Sequence, residues 1–119
     1  LGRAFRGTGQ PLPGRAGVTI WYLEDGYQST VDGHESSYSG AENVAQLLDP
    51  GFANLQLASA MWLAYCQPLV GAFFNFQLRD DPSLKGWQSG LLYADGVRKP
   101  GYLVVRRLIG DAAAGQLEC

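Results

Sequence analysis

The chain has 119 residues, 46% of them hydrophobic and 17% charged, with a formal net charge of −2. That composition fits a globular chain, one domain or a piece of one, and does not fit a disordered chain. The charge balance offers no basic face for nucleic acid, no apolar run approaches the about 20 residues that span a bilayer, and one histidine with two cysteines is too little for a zinc site.

Residues 1–17 are rich in Gly, Arg and Pro (GTGQPLPGRAG) and read as an irregular linker, with Arg3, Arg6 and Arg15 solvated. Val18–Leu23 is a predicted strand, β-branched and aromatic with no charge on either face. A strand that is apolar on both faces belongs in a parallel sheet covered by helices. It runs straight into Glu24-Asp25, and residues 26–40 form a long polar loop of the kind that is usually functional or mobile.

A helix is predicted over Ala41–Leu48, then another behind Asp49-Pro50, where Asp serves as N-cap and Pro suits the first helical position. Its buried face is predicted as Phe52, Leu55, Ala58 or Ser59, Trp62 and Tyr65. Gln67-Pro68 ends it, because the proline ring disfavours helix at the preceding residue. Leu69–Leu78 is the second predicted strand and closes on Arg79-Asp80-Asp81-Pro82.

Gly86–Tyr93 reads as a short extension or hairpin arm, with a turn at Asp95-Gly96. Pro100 opens a last helix whose buried stripe is Leu103, Val104 and Leu108, with Gly110 as its stop. Residues 111–119 read as a frayed tail. Cys66 is expected to be a small buried side chain and Cys119 a lone terminal thiol, with a bridge between them left open. Trp21 and Trp62 are expected in the core.

The element order predicts an α/β fold with parallel strands, residues 18–110 forming its β/α units. The crossover from Leu23 to Leu69 easily exceeds the minimum for such a unit. In β/α folds the site lies at the carboxyl ends of the strands, where side chains converge and loops vary. Both strands end there in ionisable residues: Glu24 after the first, Gln77, Arg79, Asp80 and Asp81 after the second. A carboxylate this close to a buried strand needs water, a cation or a ligand. The plainer alternative pairs Glu24 with Arg79 or has it cap a loop, and gives Asp80-Asp81-Pro82 to turn chemistry.

The segments IWYLEDGYQS and FFNFQLRDDPSLKGWQSGLLYADGVRKPGY resemble the last third of retaining glycoside hydrolases built on a (β/α)8 barrel. The resemblance runs from roughly Val18 to Leu108 and is most specific in its second segment. It implies strands seven and eight of a TIM barrel, with Glu24 at the position of the nucleophile. Tyr27 and Gln28 match the residues just beyond it. Gln77 and Arg79 match polar positions at the end of strand eight, and Trp87 the loop where a sugar-stacking aromatic is often placed. Leu23 stands where many members have Thr, and Asp25 where an aromatic is common. No Asn-Glu pair of the kind that supplies the acid/base occurs in this chain. The implied partners are a carbohydrate substrate and the remainder of the barrel, with no metal or organic cofactor, no nucleic acid and no membrane. Work on polysaccharide would suit a secreted or cell-surface protein. Two alternatives remain: a non-catalytic carbohydrate-binding or structural relative of the barrel, and an unrelated small α/β domain binding a partner through its long loop.

Overall fold

A computed structural model describes residues 3, 6–9, 17–42, 44 and 46–119. Most of the predicted linker, and Arg15 with it, lies outside the described residues. Strand β1 spans Ile20–Asp25 and β2 spans Val70–Asn75. They pair in parallel, Ile20 opposite Val70, Tyr22 opposite Phe73 and Asp25 opposite Asn75, with irregularities in the ladder between Ile20 and Trp21 and between Tyr22 and Asp25. Helix α1, Pro50–Tyr65, supplies the crossover, and helix α2, Tyr102–Ala113, follows β2.

Asp49 caps α1 as its sequence predicts. Its carboxylate accepts from the backbone N–H groups of Gly51 (2.9 Å) and Phe52 (3.1 Å), with Pro50 in the first turn. The helix stops before Gln67-Pro68. Its buried residues, however, are Pro50, Ala53, Asn54, Leu57, Ala58 and Ala64, while Phe52, Leu55 and Tyr65 are about half exposed. The helix is apolar all round, so periodicity alone does not say which stripe meets the sheet, and the smaller side chains make the closer approach.

Helix α2 likewise buries Val105 and leaves Leu103 and Val104 exposed. It passes through Gly110 and ends at Ala113, with Gly115 just beyond its cap at a φ of +66°, the left-handed conformation that closes a helix. Its first residue follows Gly101, which lies so close to α1 that a Cβ there would sit 2.1 Å from Asn54 Cβ.

Two further expectations are corrected, and a third holds in part. The described residues between 41 and 48 are not helical: Leu48 bridges Ser29 in parallel fashion, its N–H donating to Gln28 O and its carbonyl accepting from Thr30 N–H (2.9 Å). That backbone pairing overrides local helix preference. Gly86–Tyr93 forms no continuous strand, but its end is a short hairpin arm: Leu92 bridges Arg98 in antiparallel fashion and Arg79 in parallel fashion, and Lys99 N–H donates to Leu91 O (3.0 Å). The tail is held at two points, by the Cys66–Cys119 disulfide and by Trp62 Nε1 donating to Glu118 O (2.9 Å). The Asp95-Gly96 turn does form, with Gly96 at φ +88° and Tyr93 N–H donating to Val97 O.

The core is small: Leu57, Ala58, Leu91 and Val105, flanked by Tyr27, Met61, Phe73, Tyr102 and Leu108. It lies on one side of the sheet, where Tyr22 and Phe73 meet with ring centroids 6.0 Å apart. Trp21, expected in the core, pairs instead with Phe74 at 6.1 Å, and both rings are largely exposed. The radius of gyration is 17.0 Å, against about 13.5 Å for a compact domain of this length. The described residues therefore form an open slab: a parallel sheet with helices on one face and, among those residues, no cover on the aromatic other.

Candidate active site

Glu24 stands at the carboxyl end of β1, and the chain leaves the sheet two residues later at Gly26. Beside it opens a cleft of about 230 Å³ lined by Glu24, Asp25, Gly26, Phe76, Trp87 and Ser89. Phe76 follows the carboxyl end of β2, and its N–H donates to Asp25 O (2.8 Å), which carries the strand pairing one step beyond the ladder. Trp87 packs edge-on to Phe76, centroids 5.8 Å apart, and leaves 54% of its own surface in solvent. One wall of the cleft is thus carboxylate and the other aromatic. Glu24's carboxylate has no ion-pair or hydrogen-bond partner among the described residues, so the pairing with Arg79 does not form.

The loop that carries Trp87 is braced from within. Asp81 N–H donates to Trp87 O (2.9 Å), and Gln88 Nε2 donates to Ser83 O (2.9 Å). Asp81 Oδ1 accepts from Ser83 N–H (2.8 Å) in a tight turn of Asp-Pro-Ser. Gly86 folds against Asp81 so closely that a Cβ would lie 2.3 Å from its Oδ2.

Beneath this loop lies a buried polar hub that the sequence did not reveal. Lys99 Nζ donates to Asp80 Oδ1, Ser29 Oγ and Gln88 O, each at 2.9 Å. Asp80 also accepts from Tyr38 Oη (2.7 Å) and from Gly90 N–H (2.8 Å), and Tyr38 Oη in turn accepts from Ala94 N–H. Burial pulls the Lys99 ammonium below its ordinary range, and Asp80 counteracts it. The Tyr38 hydroxyl is pushed well up by burial and by its bond to Asp80. This hub joins the loop after β1 to the loop after β2 and to the start of α2. Lys99 before Pro100 looks like any solvated lysine ahead of a helix, and Asp80 like a turn residue. No local pattern separates them from exposed charges.

Of the expected site residues, the structure brings Glu24 and Trp87 into one cleft. Tyr27 does not line it: its ring packs on the core, and burial, then Asp25, raises its hydroxyl pKa. Gln28 lies behind the wall, Nε2 donating to Gln88 Oε1 (3.0 Å). Gln77 and Arg79 follow β2 outside the lining. Gln77 O accepts from Asn75 Nδ2, its Oε1 is buried without a partner, and Arg79 is exposed. His34 stacks on Tyr93 at 3.8 Å and holds Asp95 at 2.7 Å, far from any set of donors for a cation. Among the described residues, no three His, Cys, Asp or Glu are grouped to hold a metal, and no helix is long and apolar enough to cross a membrane.

No family model matches the sequence, and no curated protein matches it. Among solved structures the chain is similar to Faecalibacterium prausnitzii Beta-glucuronidase, with a TM-score of 0.54 and 15% identity. The match covers 77% of this chain and 16% of that one, so the chain spans about a sixth of the length of that structure. At this identity the likeness is one of fold alone. The architecture is α/β, a two-stranded parallel sheet with its helices, consistent with part of a (β/α)8 barrel.

Proposed function

We propose that these residues are strands seven and eight, with their helices, of a glycoside hydrolase barrel. On this reading Glu24 is the nucleophile in retaining hydrolysis of a β-linked glycoside. The observation that carries the reading is that Glu24 and Trp87, 63 residues apart in sequence, line one cleft at the carboxyl ends of both strands. In β/α barrels that end is where reactions take place.

The chemistry follows from the two walls. A pyranoside lays its C–H face on the exposed Trp87 ring, edge-supported by Phe76. Glu24 then attacks the anomeric carbon, the bond to the leaving oxygen breaks, and a covalent glycosyl ester forms. A second carboxyl group outside this chain, about 5–5.5 Å from Glu24, protonates the leaving oxygen and later takes a proton from the water that cleaves the ester. Gln28 acts through Gln88, the neighbour of Trp87. Tyr27 supports the Glu24 wall from the core side, and Gln77 and Arg79, just beyond β2 and outside this cleft, meet the substrate where the remaining strands extend the site. The bare face with Trp21 and Phe74 belongs to the barrel interior, covered by the remaining strands. The Cys66–Cys119 bridge favours an exported protein, since such bridges persist in oxidising compartments.

The test is Glu24→Gln in the protein that carries the complete barrel, assayed on 4-nitrophenyl β-glycosides. The expected loss in kcat is on the order of 10⁶-fold, the scale seen when a covalent nucleophile is removed, with sugar binding retained. Full activity in E24Q removes the reading. A second reading, a non-catalytic sugar-binding relative, is favoured by one observation: Tyr27 packs into the core and leaves the Glu24 carboxylate without a hydrogen-bond donor among the described residues. A wild-type protein that binds glycosides and cleaves none establishes that second reading.

A further inference from the structure

Ser89 lines the floor of the cleft and is 4% exposed, yet its hydroxyl has no hydrogen-bond partner among the described residues. The backbone on either side of it is fixed. Gln88 O accepts from Lys99 Nζ and from Ser29, and Gly90 N–H donates to Asp80 Oδ1. The residue is therefore held rigidly in place while its polar atom is left unsatisfied. Above it Gly26 comes close: a Cβ at position 26 would lie 2.9 Å from Ser89 Cβ and 3.0 Å from its Oγ. Only glycine leaves the floor open between Glu24 and Trp87.

A buried hydroxyl without a partner is costly, and one that a native chain keeps calls for a reason, such as a reaction, an ion, a water or a ligand that meets it. A serine has one side-chain torsion and a freely turning O–H, so it can donate or accept with little loss of order. From the hydroxyl at the floor, the aromatic wall and the Gly26 opening, we infer that Ser89 recognises a ring hydroxyl of the pyranoside bound beside Glu24. Ser89 is thus a specificity residue, and Gly26 keeps its hydroxyl within reach. The inference rests on the glycoside-binding reading of this cleft and adds to it a residue that fixes the orientation of the sugar.

The experiment uses the protein carrying the complete barrel, with 4-nitrophenyl β-glycosides of glucose, glucuronic acid, galactose, mannose and xylose, and single-deoxy analogues of the best of them. Ser89→Ala raises KM for that glycoside about three- to tenfold, the size of one hydrogen bond. Against one deoxy analogue S89A and wild type perform alike, because the hydroxyl that Ser89 meets is already gone. The melting temperature of S89A equals or exceeds that of wild type, since an unsatisfied buried hydroxyl has been removed from the fold. Ser89→Cys, of nearly the same volume with a weaker hydrogen-bonding group, shows the same KM effect.

Glycoside binding and hydrolysis unchanged in S89A and S89C overturn the inference and leave the reading of the cleft standing. A lower melting temperature in S89A also overturns it, because the hydroxyl then stabilises the fold itself. A wild-type protein that neither binds nor cleaves any of the glycosides removes the reading and the inference together.

Discussion

The Lys99 ammonium lies 2.8 Å from Asp80 Oδ2, with both side chains closed off from water. Removing one member of such a pair strands the other's charge in the interior, at a cost of about 3–5 kcal/mol. Lys99→Met and Asp80→Asn are each expected to destabilise by that much. The double variant is expected to recover a large part of the loss, which equilibrium unfolding and a double-mutant cycle measure. Single and double variants whose costs simply add would show that the two charges are not coupled.

Trp87 is exposed over more than half its surface, so its side chain adds little to the fold. Trp87→Ala is expected to weaken glycoside binding roughly tenfold, equivalent to about 1.4 kcal/mol, and to leave the melting temperature almost unchanged. Trp87→Phe keeps part of the stacking surface and part of the affinity. Isothermal titration separates these outcomes, and equal affinity in W87A and wild type would count against sugar stacking at this ring.

The disulfide closes a loop across 53 residues and ties the carboxyl-terminal segment to the end of α1. Chain-entropy arguments assign such a closure about 4 kcal/mol. Cys66→Ala with Cys119→Ala, or reduction of the wild type, is expected to lower the melting temperature, and reduction should have no effect on the double variant. A wild type indifferent to reductant would refute the stabilising role.

Much of the backbone plan was legible because local chemistry decides it. Asp49-Pro50 starts a helix through two N–H acceptors and a fixed φ, and Gln67-Pro68 stops it through a steric clash. Val18–Leu23 and Leu69–Leu78 lack charge on both faces, and that alone implies parallel pairing. Trp21 misleads for the same reason: an apolar strand face predicts cover, and in this structure the cover over that face is absent from the described residues. The inner stripe of α1 was not legible, since Phe52 and Leu57 are equally apolar and only the approach of the sheet chooses Leu57. In the site, Glu24 and Trp87 were visible through the strand-end rule and the resemblance. Ser89 and Lys99 were not, because burial of a polar side chain is a property of three chain segments meeting and leaves no mark on its own neighbourhood.

Three of the six tyrosines bear on stability at high pH. Burial first, and then nearby carboxylates, raises the hydroxyl pKa of Tyr27, Tyr38 and Tyr93. In the unfolded chain a tyrosine ionises near about pH 10. Below that pH both states hold the proton and the groups contribute nothing to the slope. Above it the unfolded state loses protons that the folded state keeps, so stability falls with rising pH until the folded hydroxyls ionise as well. Lys99 acts in the opposite sense, its lowered pKa raising stability with pH up to the ordinary lysine value near about 10.4. One lysine is outnumbered by three tyrosines, and above its ordinary pKa its contribution is constant. Stability is therefore expected to fall steadily above about pH 10.5, and less steeply in Tyr38→Phe. Urea unfolding at a series of pH values, with tyrosinate absorbance followed in parallel, measures both. All six tyrosines ionising in one step near pH 10, with no change in unfolding free energy, would contradict the buried hydroxyls around Asp80 and in the core.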